Sequence, residues 1–388
     1  VSGALGALAG IRVLDMTRLL PGPFCSRVLV DLGAHVDKLE DVGAGDYLRN
    51  MPPMVERDGE ACNAAFELLN LGKQSLAMDL KRDEGREVFL QIAGTYDVVL
   101  ESFRPGVLDR LGCGAAALLA RHPRLVVVSI SGFGSAGPDA HKAGHDLGYL
   151  ARAGVLGVSG PVDGPPAVPG VQMADIGAGL WGVIGTLAAL RSRDDTGCGQ
   201  HIDVSLMESA APFALYALAD VLLGGTPSSA RGASPLTGGA AVYATYATGD
   251  GRAVALASLE PKFLGPFFAD HGLALGFEVL APGPHQVELR ASLASIFAAK
   301  SAAEWRAYAA ARDVCLEVVS TPDEWRSCPQ RLALAGDRDA MKMPMPLGAP
   351  SSLCAPRQGQ HTREILLAAG VSEAEVERLL ALGSINQA

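Results

Sequence analysis

The chain contains no C-x-x-C pair, no zinc-type Cys/His spacing, no P-loop lysine motif and no G-x-S-x-G elbow. The signatures of a structural zinc site, a nucleoside-triphosphate cradle and an α/β-hydrolase nucleophile are thus missing, and no metal is expected. Its seven cysteines, at 25, 62, 113, 198, 315, 328 and 354, are odd in number, which suits a reduced, cytoplasmic protein better than a disulfide framework. Positive charge is in short supply. The 32 Lys and Arg against 42 Asp and Glu leave a net charge of −10, so a broad nucleic-acid surface is not expected, and an anionic ligand would need a local basic pocket. Long apolar runs are missing too. Residues 176–190 and 210–223 fall short of the ~18 expected of a membrane span, so no membrane association is expected. The first four residues show no basic region leading into an apolar stretch, and the last three are not a Ser-Lys-Leu address. Neither a signal peptide nor a peroxisomal signal is expected.

What is present is a large apolar fraction, 49% of 388 residues, enough to fill the cores of two or three domains. Residues 11–16 read as a buried strand, 17–23 as a turn, 24–32 as a helix closed by Gly33, and 36–40 as the next strand. That is a βαβ unit, and it predicts a parallel sheet. A helix over 82–93 and strands over 97–101 and 125–130 extend it into a doubly wound, Rossmann-like α/β layer. Residues 168–223 read as two long helices rich in small residues, of the kind usually buried. A Gly/Ser/Pro-rich linker follows at 224–239. Two strands, 242–248 and 253–259, then flank Gly249-Asp250-Gly251 as a hairpin, predicting a small α+β domain over 235–325. Ser301 with Glu304 and Ser372 with Glu375 have capping-box spacing.

Few motifs carry chemistry. Gly132-Phe133-Gly134-Ser135-Ala136-Gly137 matches G-x-G-x-x-G after a strand, but Pro138 and Gly144 interrupt the helix a dinucleotide site requires, so a glycine-rich loop beside a pocket is the better reading. Gly144-His145-Asp146-Leu147-Gly148-Tyr149 leads into an apolar helix. Structurally, Asp146 is an N-cap and His145 a loop histidine. Chemically, His145 offers an imidazole base, with helix-start N–H groups able to hold an oxyanion. Asp175 precedes the apolar stretch 176–190 as an N-cap, or as a carboxylate aimed into a pocket and kept ionised by the helix dipole. Glu260, after the second hairpin strand, is a turn acid or a partner that orients an imidazole. Lys38, Arg49, Lys73, Lys81, Arg82, Arg104 and Arg110 fall in or near loops of the α/β layer, where a few could hold phosphate.

The order of these motifs is more telling than any one of them. Leu8-Ala9-Gly10-Ile11-Arg12-Val13-Leu14-Asp15, Pro21-Gly22-Pro23, Met78-Asp79-Leu80-Lys81, Phe103-Arg104-Pro105-Gly106, Gly132-Phe133-Gly134, Gly144-His145-Asp146, Asp175-Ile176-Gly177 and Glu260-Pro261-Lys262-Phe263 follow one another as in the family III coenzyme-A transferases. Within that family the chain resembles the α-methylacyl-CoA racemases. The resemblance implies a large α/β domain, 1–224 and 326–388, interrupted by the small domain, in an interlocked homodimer. It implies an acyl-CoA thioester as the small-molecule ligand, with no separate cofactor. CoA would be held around Met78, Asp79, Leu80, Lys81, Ser102, Phe103, Arg104 and Arg110, with Gly144, Asp146, Leu147, Gly148 and Tyr149 lining the pocket. His145 and Asp175 would be the two bases and Glu260 the aid to His145. Asp41 stands where many relatives carry an arginine, and 318–347 lacks a His-Asn string common in the racemases.

The racemase reading implies epimerisation of 2-methylacyl-CoA through an enolate, one base on each face of the α-carbon. The alternative is a CoA transferase using Asp175 as nucleophile through an acyl intermediate. A third reading is a silent CoA-binding homologue. The Gly-His-Asp run and Glu260 favour the first.

Overall fold

A computed structural model describes residues 6–57, 59–224, 231–281, 283–330, 333 and 355–388. The first four residues, residues 225–230 of the linker and residues 334–347 of the divergent stretch lie outside these. The chain divides into two compact units. One is Val1–Ala153, Gly170–Pro212 and Asp337–Ala388; the other is Gly154–Pro169 and Phe213–Gly336.

The first unit is built on a seven-stranded sheet. Arg12–Met16, His35–Glu40, Gln74–Met78, Val98–Glu101, Val126–Ser131 and His201–Ser205 are parallel, and Ile385–Asn386 runs antiparallel at the Gln74–Met78 edge. Counted in chain order, the six parallel strands lie 3-2-1-4-5-6, the doubly wound order. The inner strands are buried on both faces, which is why Val98-Val99-Leu100 and Val126-Val127-Val128 are unbroken apolar runs. One face packs on Asp83–Ile92, Ala115–Arg121 and the C-terminal helices Thr362–Ala368 and Glu373–Ala381, through a core that includes Phe89, Leu118, Leu366 and Leu379. The other face carries Pro21–Asp31 and the 24-residue helix Met173–Thr196.

Two expectations change here. The span 168–223 is not two helices: His201–Ser205 intervenes as an edge strand of the main sheet, its polar–apolar alternation hidden between apolar stretches. The sequence reading also overlooked Gln74–Met78, the third parallel strand. The long helix, moreover, exceeds the expected apolar run. Met173–Thr196 and the stretch Leu206–Gly224 are both long and apolar enough to cross a membrane by length and composition, although half of the former's apolar window is buried in the protein.

The second unit has an antiparallel sheet in the order Leu316–Val318, Ala253–Ala257, Tyr243–Ala247, so the expected hairpin forms. Helices Pro261–Asp270, His285–Ala298 and Ala302–Ala310 supply Phe267, Phe297 and Trp305 to its core. This unit reaches beyond 235–325 on both sides, over Phe213–Gly336, and Gly154–Pro169 joins it, with Arg231 Nε donating to Pro161 O at 2.8 Å. Ser301 and Glu304 form the full capping box. At Ser372 only half of it forms, since the Glu375 carboxylate bonds Arg378 instead.

Candidate active site

A doubly wound sheet leaves a crevice at the carboxyl ends of its strands where the strand order reverses, here between Arg12–Met16 and Val98–Glu101. A cavity of about 770 Å3 opens there. Met16, Arg18 and Leu19 line it from the first strand's end, Ser102, Phe103 and Arg104 from the fourth, and Ile130, Ser131 and Gly132 from the fifth. Lys142, Gly144, His145, Tyr149 and Asp175 close it from the loop and helices beyond. His145 and Asp175, thirty positions apart in sequence, thus face one cavity.

A carboxylate joins the two segments. Asp146 is the first residue of helix Asp146–Arg152, and His145 holds the N-cap position without a side-chain cap bond. The Asp146 carboxylate reaches across instead, accepting from the N–H groups of Ala174 at 2.7 Å and Asp175 at 3.1 Å. It therefore caps the long helix rather than its own, and it pins that helix's first turn beside His145. Asp175 is the third residue of the long helix, not its N-cap.

The electrostatics follow from this packing. Burial, and then the charge of Asp146, raise the Asp175 carboxyl to about 7. The helix dipole alone would favour an ionised Asp175, as expected from sequence, but loss of water and a neighbouring carboxylate outweigh it. A carboxyl poised near neutrality can both take and return a proton. The His145 imidazole is exposed and makes no hydrogen bond among the described residues.

Arg18, Tyr47 and Lys142 line the cavity and escaped the sequence reading. Arg18 rides on a turn whose next residue, Leu19, has a φ of 64°. That strained turn is held from below: the buried Asp46 carboxylate accepts from Leu19 N, and the buried Lys38 ammonium bonds Thr17 O at 2.8 Å and Asp46 at 3.0 Å. Arg18 Nη1 donates to the Tyr47 hydroxyl at 2.9 Å, and Nη2 faces Asp41 at 3.4 Å. The acid at 41 therefore has a cation opposite it, a pairing that no sequence signal announced.

Lys38, Lys73 and Arg49 prove not to be free cations for a ligand. Lys73 Nζ bonds the buried Asp15 at 3.0 Å and Asn70 at 2.8 Å, and Arg49 grips Glu40 with two nitrogens. Burial alone would raise Asp15, but Lys73, Lys38, Ser26 and Thr17 hold it well below the usual carboxylate range. Burial lowers Lys73 to about 8.

The other candidates are placed as follows. Met78 ends the third strand, Asp79, Leu80 and Lys81 follow it, and all four lie outside the cavity lining. Asp79 N is bonded to Ser384 O, and only Lys81 is exposed. Arg110 is an exposed residue at the end of the short helix Val107–Arg110. Leu147 and Gly148 are exposed on the helix after His145, outside the lining. Glu260 is the exposed N-cap residue of Pro261–Asp270 in the second unit. The glycine-rich loop is tied to the edge strand by Ser135, whose N–H donates to Asp203 at 2.9 Å. No cluster of three or more His, Cys, Asp or Glu suited to a metal occurs among the described residues.

The model of CoA-transferase family III matches residues 8–357. The chain is 34% identical to the alpha-methylacyl-CoA racemase of Mus musculus over 96% of each protein. It is 40% identical to the succinyl-CoA:mesaconate CoA-transferase of Haloarcula hispanica, over 53% of each. Its fold matches the crystal structure of a CAIB/BAIF family protein from Brucella suis at a TM-score of 0.81 and 29% identity, covering 93% of this chain and 98% of that one.

Proposed function

The chain belongs to CoA-transferase family III, and from that premise we propose that it is a racemase that interconverts the 2R and 2S epimers of 2-methylacyl-CoA thioesters. The observation that carries the reading is a carboxyl group raised to about 7, Asp175, in one cavity with the unpaired imidazole of His145. The likeness to a racemase over 96% of the chain supports it.

A thioester α-proton is weakly acidic, and its loss leaves a planar enolate. Inverting that carbon takes a base on one face and a conjugate acid on the other. Asp175 accepts the proton from one epimer while protonated His145 delivers one to the opposite face; in the reverse direction the roles exchange. Each base supplies roughly 10²–10⁴-fold. Asp175 is suited to both halves because its proton is held near neutral pH. Arg104 and Arg18 line the cavity and bring positive charge to it for the anionic CoA moiety, against the acidic total of the chain. Glu260 is assigned to assist His145 on resemblance alone, and Glu260→Gln is expected to cost less than either base.

The test is incubation of one 2-methylacyl-CoA epimer in deuterated water without any acceptor acid. Epimerisation together with α-deuteration is expected, nearly abolished in His145→Ala and in Asp175→Asn. A wild-type protein that leaves the α-position unlabelled but moves CoA to an added carboxylic acid would make Asp175 a nucleophile and the protein a transferase.

A further inference from the structure

Tyr149 lies one helical turn beyond His145, and its ring lines the cavity while 7% of the residue remains exposed. Two glycines make room for it. A Cβ on Gly132 would fall 2.5 Å from the phenol oxygen, and one on Gly144 would fall 2.7 Å from a ring carbon and 3.0 Å from that oxygen. The hydroxyl is therefore lodged between the backbone at the end of the fifth parallel strand and the backbone that leads into His145. Phe133 meets the ring edge-on at 5.2 Å between centroids and fixes its plane. The phenol oxygen makes no hydrogen bond among the described residues. Ser131, which also lines the cavity, has a buried Oγ without a partner. A buried hydroxyl left unpaired costs about 1–3 kcal/mol, so this end of the cavity is suited to a polar atom of the ligand.

We propose that Tyr149 is a further catalytic residue, whose phenol hydroxyl donates a hydrogen bond to the thioester carbonyl oxygen as negative charge develops there. The proposal rests on the acyl-thioester reading of the site. When the α-C–H bond breaks, its electron pair becomes the new C=C bond and the carbonyl π pair moves onto oxygen. The base takes the proton; the phenol keeps its own and supplies only the hydrogen bond. Burial and the nearby charge of Asp175 raise the Tyr149 hydroxyl above its usual range, so it remains a neutral donor through the working pH.

Tyr149→Phe removes the oxygen and keeps the ring against Phe133. Loss of one such donor typically costs about 10²–10³ in kcat. We expect a fall of that size in α-deuteration from either epimer, with KM for the thioester and the Kd for CoA within about threefold of wild type. A CoA derivative bearing a planar nitronate in place of the enolate should bind the wild type more tightly than CoA does, and lose that advantage in Tyr149→Phe. A variant whose kcat stays within about threefold, or whose loss lies wholly in KM, would overturn the assignment. Should the wild type catalyse no α-exchange, the racemase reading fails by itself. The same variant would then be assayed for CoA transfer, whose tetrahedral intermediate also places charge on this oxygen: a 10²-fold loss supports the donor and unchanged transfer overturns it.

Discussion

Asp175 occupies the first turn of a helix, where the macrodipole favours a carboxylate, yet burial and Asp146 hold its proton to about 7. This has a kinetic consequence. A pair that passes one proton back and forth must hold a single proton between its two members. At low pH both are protonated and no base is left; at high pH both are bare and no acid is left. The two working forms differ only in where the proton sits, so kcat/KM should trace the same bell in both directions, with one limb near pH 7 set by Asp175. Rates for each epimer across pH 5–9 check this. A profile that rises through pH 7 and then stays flat is the behaviour of a nucleophile that needs only to be ionised. From sequence, His145 and Asp175 could be chosen but not their environment, because the Asp175 shift depends on burial in the folded chain and then on a neighbour twenty-nine positions away.

At the scale of elements, the long helix Met173–Thr196 is held at its start by Asp146 and along its length by glycine. Asp146→Ala removes the acceptor for two N–H groups, a loss of about 1 kcal/mol for a typical cap. It also removes one charge that raises Asp175, so the Asp175 limb of the pH profile should move to lower pH. Denaturant melts and the rate profile of the same variant measure both. Gly179 faces Pro21–Asp31 so closely that a Cβ would lie 2.7 Å from Phe24 and 2.8 Å from Pro21 O. Gly179→Ala should destabilise the first unit by about 1–3 kcal/mol, the usual cost of overpacking, seen as a lower urea midpoint at unchanged slope. The small-residue composition of this helix was plain in the sequence. Which of its glycines meets which neighbour was not, since that depends on the packing of two helices far apart in the chain.

At the scale of the whole molecule, the opposite side of that helix exposes Leu180, Trp181, Ile184 and Leu187 in one stripe. We propose that a second copy of the chain covers it, in the homodimer that the resemblance implies. Light scattering at micromolar concentration should find a dimer for the wild type and a monomer, or a much weaker dimer, for Ile184→Glu. A stable, active wild-type monomer would refute it. The reading of this helix as buried is half right: half of its apolar window is buried within the chain, and Leu180, Trp181, Ile184 and Leu187 face outward.

The sequence by itself determined the class of fold and the hairpin of the second unit, though not all of its strands. Apolar runs of strand length alternating with helices compel a parallel doubly wound sheet, and the Gly-Asp-Gly turn compels a hairpin, because these signals are local. It also singled out the imidazole and the carboxyl, whose chemistry belongs to the residue type. Only the tertiary structure decided that Lys38, Lys73 and Arg49 serve the interior, that Arg18 faces the cavity, that Asp146 caps a helix other than its own and that Asp175 titrates near neutrality. Each of these depends on charge, water and distance between segments remote in the chain, and such quantities acquire values only when the strands have set their order.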